Sequence, residues 1–398
     1  VIRVGAGVAM GVFDEAGDWR DRTLEDVLLH CRDLVEDPTF PTVARFREAG
    51  GKVLGHFQVY FPEEIAHAAG MLPLKLRGAP LDPDHAESRF GSYLCSIVKT
   101  TLELPLAGHL ELDLFVSHPI CDAARNLAAI FSRNFSHPSQ ILYLPQNANS
   151  AHTVTYLRAE YARLRADVEA VAGRTLTYED LRASIAVFDE NRRLLRELYA
   201  LKRERPWVVA AEDAYALVAL AGMLPREEHN ELLRWVLPRL AARGGKAEDR
   251  VRVVFEGGFC EQPPFDLVRV IGRACYVVDD DWLIGLRYLT EDVGLTDDPL
   301  RALAEAYIER SSYSPVQHDL RKPKEEMLLA RVRGADAGAV ILAAAKMCEP
   351  GLEEQVAYAQ SLEAAGVPFL VTELEENMTS FSGIELQLET FVENLLFA

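Results

Sequence analysis

The spacing of apolar positions changes twice along this chain. Residues 53–60 and 72–76 are short apolar runs, separated by a helical stretch over 63–69 that Gly70 closes. Short apolar runs bounded by turn residues read as buried strands, so this is a β-α-β unit and the seed of a parallel sheet. Residues 114–117 and 140–144 predict two further strands, the last ended by Pro145. From 151 to 243 the period becomes helical. Residues 156–171, 178–201, 210–221 and 226–241 carry apolar side chains three and four apart, with Thr177 and Pro225 marking helix starts. Gly244-Gly245-Lys246 reads as a linker, after which strands return at 251–255, 275–278, 339–344 and 368–374. A helix over 352–365, closed by Gly366, precedes the last of them. The first 50 residues read as mostly helical, with Leu24, Val27, Leu28 and Cys31 on one face.

This rhythm predicts an α/β region over residues 1–149 with a helical start, a helical segment over 150–245, and a second α/β region over 246–398. The Arg/Glu interleaving of the helical segment reads as solvated faces with i,i+4 pairs, or as a subunit interface. The two α/β halves look alike, each holding a strand–Cys–helix turn.

The organising stretch is 113–135, DLFVSHPICDAARNLAAIFSRNF. Leu114 to Ser117 form the strand, Pro119 breaks it, and Cys121 follows where a helix begins. Ligands of open α/β sheets bind at the carboxyl ends of strands. A helix N-terminus also favours the thiolate, the form that reacts and binds metal. Cys95, entering a helix after Gly91 and Ser92, and Cys348, followed by Glu349 and Pro350, have similar settings. Three readings stand side by side: unrelated buried thiols, a zinc site with an open position, or thiolates converging on an iron–sulfur cluster with one iron left without a cysteine. Cys31 and Cys275 read as core. Cys260 sits in a loop after Gly257-Gly258 near the proposed site.

Composition narrows the function classes. A formal net charge of −19 in 398 residues argues against a nucleic-acid surface and an anionic membrane. An anionic substrate would then need a basic pocket inside an acidic envelope. No run approaches the ~20 apolar residues of a spanning helix. Six cysteines are too sparse for a disulfide scaffold, and the N-terminus shows no signal-peptide cleavage pattern, so the expectation is a reducing cytoplasm. There is no P-loop, no dinucleotide-binding glycine fingerprint and no nucleophile elbow.

Five segments carry a resemblance: GHFQVYFPEEIAHAAGMLPLKLRG, YLCSIVKTTL, PICDAARNL, EGGFCEQPP with YVVDDD, and KMCEPGLEEQ. Together they resemble the benzoyl-CoA reductase and 2-hydroxyacyl-CoA dehydratase family over most of residues 53–398, and look closer to the catalytic subunits of ATP-dependent benzoyl-CoA reductase. The resemblance implies a [4Fe-4S] cluster held by Cys95, Cys121 and Cys348, and a homologous cluster-bearing partner subunit. It also implies separate activator subunits that hydrolyse ATP, which this chain does not bind, reduced ferredoxin as donor and benzoyl-CoA as substrate. The implied reaction is two-electron reduction of the aromatic ring to a cyclic diene. The expected fold is two Rossmann-like domains with small parallel sheets flanking the helical segment, the cluster lying in the cleft between them.

Three residues beside the cysteines are candidates for catalytic roles. His118, three residues before Cys121, is read as a proton donor or as a backbone partner. Arg125, one turn past Cys121, is read as steadying the cluster's charge or meeting a CoA phosphate, with a salt bridge to Asp122 as the plain alternative. Glu261, with Gln262, follows Cys260 on the same loop. Glu63 and Glu64 read as helix-start residues favoured by the dipole, and Lys99 and Lys346 as solvated or phosphate-binding. Two other functions stay open: a 2-hydroxyacyl-CoA dehydratase subunit, and a non-catalytic electron-relay or scaffold subunit.

Overall fold

The computed structural model describes residues 19–57, 59–79, 81–91, 93–258, 262–313 and 317–397; the candidates Cys260 and Glu261 lie outside them. Eight strands form two sheets. The first holds β1 (Lys52–His56), β2 (Met71–Lys75), β3 (Leu114–Ser117) and β4 (Ser139–Ile141) in the order β2-β1-β3-β4. The second holds β5 (Arg252–Glu256), β6 (Tyr276–Asp280), β7 (Ala339–Ala345) and β8 (Phe369–Leu374) in the order β6-β5-β7-β8. Every pairing is parallel. The two orders are the same: the second strand lies on one side of the first, and the chain then crosses to the other side. That reversal opens a crevice at the carboxyl ends of β1 and β3, and again of β5 and β7.

Central strands of such sheets are covered on both faces and therefore read as continuous apolar runs. β7, AVILAAA, is buried at every position, whereas the edge strand β4, SQI, is half-buried throughout. The expected strands are all present, shorter by a few residues at some ends.

The helical expectation also holds: helices span Thr153–Ala172, Tyr178–Glu204, Ala211–Leu220 and Arg226–Ala242. Thr177 begins the second through a reciprocal bond with Asp180, a capping box. Its apolar face carries Leu181, Ile185, Leu195 and Leu198 into the core. Partly exposed i,i+4 pairs such as Arg163–Asp167 are present as expected, but the Tyr178–Glu204 helix is also tied through buried charges to the helix after β1 and to β6. Arg192 pairs with Glu64, and Arg226, at the start of the Arg226–Ala242 helix, with Glu63. At the other end, Lys202 pairs with Asp280 of β6, which also accepts from the Tyr199 hydroxyl at 2.9 Å. Glu63 and Glu64 do begin the helix Glu63–Ala68 after β1, but burial and arginine partners hold them there as well as the dipole. The sequence reading missed those partners because they come from more than 100 residues away.

The loops at the carboxyl ends of the two sheets meet. Tyr60, after β1, packs on Tyr288 at 5.6 Å and on Tyr307 at 5.1 Å. A Cβ on Gly285 would stand 1.9 Å from the Val59 carbonyl oxygen, so only glycine admits that backbone approach. Beyond β8, Glu376 accepts from the Thr100 hydroxyl at 3.2 Å and lies against Gly78.

Candidate functional site: capping cysteines at facing strand ends

All three candidate cysteines occupy helix N-cap positions. Cys95 caps Ser96–Leu106, Cys121 caps Asp122–Asn134 and Cys348 caps Glu349–Ala364. Cys121 follows the end of β3, and Cys348 follows the end of β7. Both strands are third in their sheets, so the same topology delivers each thiol to its crevice. The turn into Cys348 passes through Met347, a non-glycine residue at φ 61°, and the Cys348 amide donates to the Ala345 carbonyl at 3.0 Å. Left-handed non-glycine residues cluster at functional turns.

Cap geometry sets the thiol chemistry. The Ala124 amide donates to Cys121 Sγ at 3.4 Å. Burial pushes the Cys121 thiol up, and the neighbouring Cys348 and Asp122 add to this, while the amides of Ala124 and Ala123 oppose it. Cys121 and Cys348 therefore lie within electrostatic reach of one another. Cys31 and Cys275 are different. Both are in the apolar core, Cys275 donates to the Ile271 carbonyl at 3.2 Å, and burial pushes its thiol up to about 12. These two are inert packing groups, as expected.

His118 directly follows β3 and is buried, and its Nδ1 has no hydrogen-bond partner among the described residues. Burial pushes it down to about 3, so the ring is neutral near pH 7 and offers an N–H rather than an imidazolium proton. Arg125 is largely exposed and stands 3.9 Å from Asp122, a loose surface pair. His118 and Arg125 line one groove of about 440 Å³ together with Tyr143, Asn147, His152 and Tyr156. Lys99 and Lys346 reach surface glutamates, Glu87 at 3.4 Å and Glu375 at 3.2 Å.

The sequence reading passed over a buried acidic group at the carboxyl end of the second sheet. Asp281 accepts from the amides of Gly257 at 2.9 Å and Gly258 at 3.0 Å, gripping the start of the loop that leads to Cys260. Glu256 accepts from the Tyr313 hydroxyl at 2.9 Å and pairs with Arg331. Burial and the adjacent Glu256 push Asp281 well up. Burial pushes Glu376 up to about 8, against the pull of Arg77. The run Asp279-Asp280-Asp281 at a strand end was the available signal, since consecutive acids there need partners.

Among the described residues, no three His, Cys, Asp or Glu side chains stand close enough together to hold a single metal ion. Cluster ligands sit on different irons and are spread more widely. Three thiols on helix N-termini, two of them at facing crevices, suit that chemistry, because backbone N–H groups offset the negative charge of thiolate ligands.

The fold and site define a class: an α/β protein with two like-ordered parallel sheets and cysteines capping the helices at their carboxyl ends. The chain belongs to the family described as 2-hydroxyglutaryl-CoA dehydratase, D-component, whose model matches residues 58–395. It is 35% identical to a benzoyl-CoA reductase subunit of Thauera aromatica, over 93% of this chain and 98% of that protein. It is 26% identical to lactoyl-CoA dehydratase subunit beta of Anaerotignum propionicum, over 94% and 99%. It is 23% identical to (R)-2-hydroxyglutaryl-CoA dehydratase subunit beta of Acidaminococcus fermentans, over 89% and 95%. The resemblance read from the five segments is borne out. Among the described residues no helix is long and apolar enough to cross a membrane.

Proposed function

We propose that this chain is a catalytic subunit of an ATP-dependent, ferredoxin-linked benzoyl-CoA reductase that reduces the aromatic ring of benzoyl-CoA to a cyclohexadiene thioester. The observation that carries the reading is the 35% identity to the Thauera aromatica benzoyl-CoA reductase subunit across nearly the whole of both chains. Cys95, Cys121 and Cys348 would hold a [4Fe-4S] cluster, which supplies single electrons at low potential when bound.

The chain's own residues would do the rest. Adding an electron to an aromatic ring is very unfavourable unless the charge is shared with the thioester carbonyl and water is excluded. A neutral His118 can donate its N–H to that carbonyl oxygen, as neutral imidazoles do in other carbonyl-polarising sites. This makes it a stabiliser of developing charge rather than the acid that delivers a ring proton. Glu261 is the other candidate for a catalytic role, following Cys260 on the loop whose start Asp281 grips through Gly257 and Gly258. Arg125 would meet anionic substrate groups. The partners would be a homologous cluster-bearing subunit and ATP-hydrolysing activator subunits.

A second reading, a 2-hydroxyacyl-CoA dehydratase subunit, is favoured by the family description and by the dehydratase beta subunits among the relatives. In either enzyme this chain can also be the electron relay, with the substrate on its partner. The heteromer, purified under strict anoxia and given both thioesters, separates these. Diene formation from benzoyl-CoA supports the proposal, and water elimination from a 2-hydroxyacyl-CoA replaces it. A benzoyl-CoA effect on the iron spectrum of the partner alone makes this chain the relay.

A further inference from the structure

The chain leaves β7 and β8 side by side at the carboxyl end of the second sheet. Their last paired residues are Ala345 and Leu374, and the Lys346 amide then donates to the Leu374 carbonyl at 2.9 Å. Cys348 follows one strand and Glu376 the other. The Glu376 side chain is almost fully buried, and its carboxyl ends among residues of the first half of the molecule. Its Oε2 stands 3.2 Å from Thr100 Oγ1, on the helix that Cys95 caps. Gly78, in the turn after β2, closes the other side. A Cβ there would lie 1.5 Å from the same carboxyl oxygen and 2.3 Å from Thr100 Oγ1. Only glycine lets the carboxyl in, and the Gly78 backbone hydrogen-bonds to it.

The hydrogen bonds at this junction suit a neutral acid. Thr100 Oγ1 also lies 3.1 Å from the carbonyl of Ser96, the residue after Cys95, and a hydroxyl has one proton to give. A Glu376 carboxylate competes with Ser96 for that proton. A protonated Glu376 donates to Thr100 instead, and the Thr100 proton then serves Ser96. Burial outweighs the pull of Arg77 and favours the same form at pH 7.

We propose that Glu376 is a positioning residue: through Thr100 and Gly78 it fixes the helix that Cys95 caps against the strand ends that deliver Cys348. Thiols from two halves of a chain can share one cluster only if the halves keep one separation. Groups that orient metal ligands from behind are worth roughly ten- to a hundredfold in metal retention. The inference rests on the cluster reading given above, and on neither the substrate nor the reaction.

The test compares Glu376→Ala, Glu376→Gln and Thr100→Val in the heteromer purified under strict anoxia. Lys202→Met, which loosens the fold at a different point, is the control. Two quantities are read: the rate of iron loss to bathophenanthroline disulfonate, and hydrogen exchange of the amides across Ser96–Leu106. Glu376→Ala and Thr100→Val should lose iron roughly tenfold faster than wild type, with faster exchange in that helix. Glu376→Gln should stay at the wild-type values, because its amide donates to Thr100 and its carbonyl accepts from Gly78. Lys202→Met should keep the wild-type rate of iron loss. Wild-type behaviour of both Glu376→Ala and Thr100→Val overturns the assignment. So does a Glu376→Gln variant as fast as Glu376→Ala, and so does equally fast iron loss in Lys202→Met, which would reduce the effect to general stability. If the wild-type complex holds no iron, the cluster reading falls and exchange alone decides. Faster exchange in Glu376→Ala and Thr100→Val but not in Glu376→Gln then keeps Glu376 as the anchor of the helix, and unchanged exchange removes it.

Discussion

Cys121 and Cys348 occupy equivalent points of two sheets with the same strand order, each capping the helix that follows the third strand, and each within electrostatic reach of the other. A chain that folds one topology twice, with the carboxyl ends meeting, brings together two thiols far apart in sequence. Cys95 lies in the crossover between β2 and β3, as the N-cap of the Ser96–Leu106 helix.

This geometry predicts a sharp contrast between cysteines. Cys121→Ala should abolish iron and acid-labile sulfide retention in the anoxically purified complex. Cys275→Ala should keep both, at a stability cost of about 1–2 kcal/mol for a lost core group. Iron and sulfide assays with urea denaturation check the pair. Equal loss of iron in both variants would sink the ligand assignment.

Gly257 has φ 118°, and a Cβ there would lie 2.5 Å from the Ala343 carbonyl oxygen. Gly257→Ala should therefore cost about 2 kcal/mol or more, from backbone strain and a clash with β7. Because Asp281 holds this turn, the same variant should lower thioester turnover more than it lowers iron content. A variant of wild-type stability and turnover would show that the turn is not constrained.

Lys202 and Asp280 are both almost fully buried, so removing one leaves an uncompensated charge. Lys202→Met should destabilise by about 3 kcal/mol, the lower end of the range for a broken buried pair, because Arg287 and Tyr199 still face Asp280. Adding Asp280→Asn should recover part of the loss. Denaturant midpoints for the single and double variants give the coupling directly.

His229 donates from Nε2 to the Leu217 carbonyl at 2.7 Å and accepts at Nδ1 from Asn191 at 2.8 Å, a pairing that only the neutral ring satisfies. Burial, with Arg226 nearby, pushes it down to about 3. An unfolded histidine takes its proton near pH 6.5. Its contribution is thus complete above that pH and is lost as pH falls toward 3, by about 1.4 kcal/mol per unit. Glu376, raised to about 8, acts in the opposite sense over part of that range. The readout is therefore the difference between wild type and His229→Gln at pH 7 and pH 5. The wild type should lose more stability than the variant on going to pH 5, and parallel profiles would refute the buried neutral ring.

The sequence by itself determined the elements and the place of the chemistry. Buried parallel strands must be apolar along their length, and helices must show apolar residues three and four apart, so both sheets and the four helices between them were legible from local spacing. A cysteine after a strand-breaking Pro119 and before a helical run had to be a cap, and Cys121 is one. Only the tertiary structure decided what meets across the fold. Charge and polarity are visible in a sequence, but their partners are not. Glu63 gave no sign of Arg226, nor Asp281 of Gly257 and Gly258, because each pair closes a long loop whose ends only packing brings together. His118 shows the same division: its position was readable, but its ionisation was not, since burial among residues from distant segments sets the neutral form.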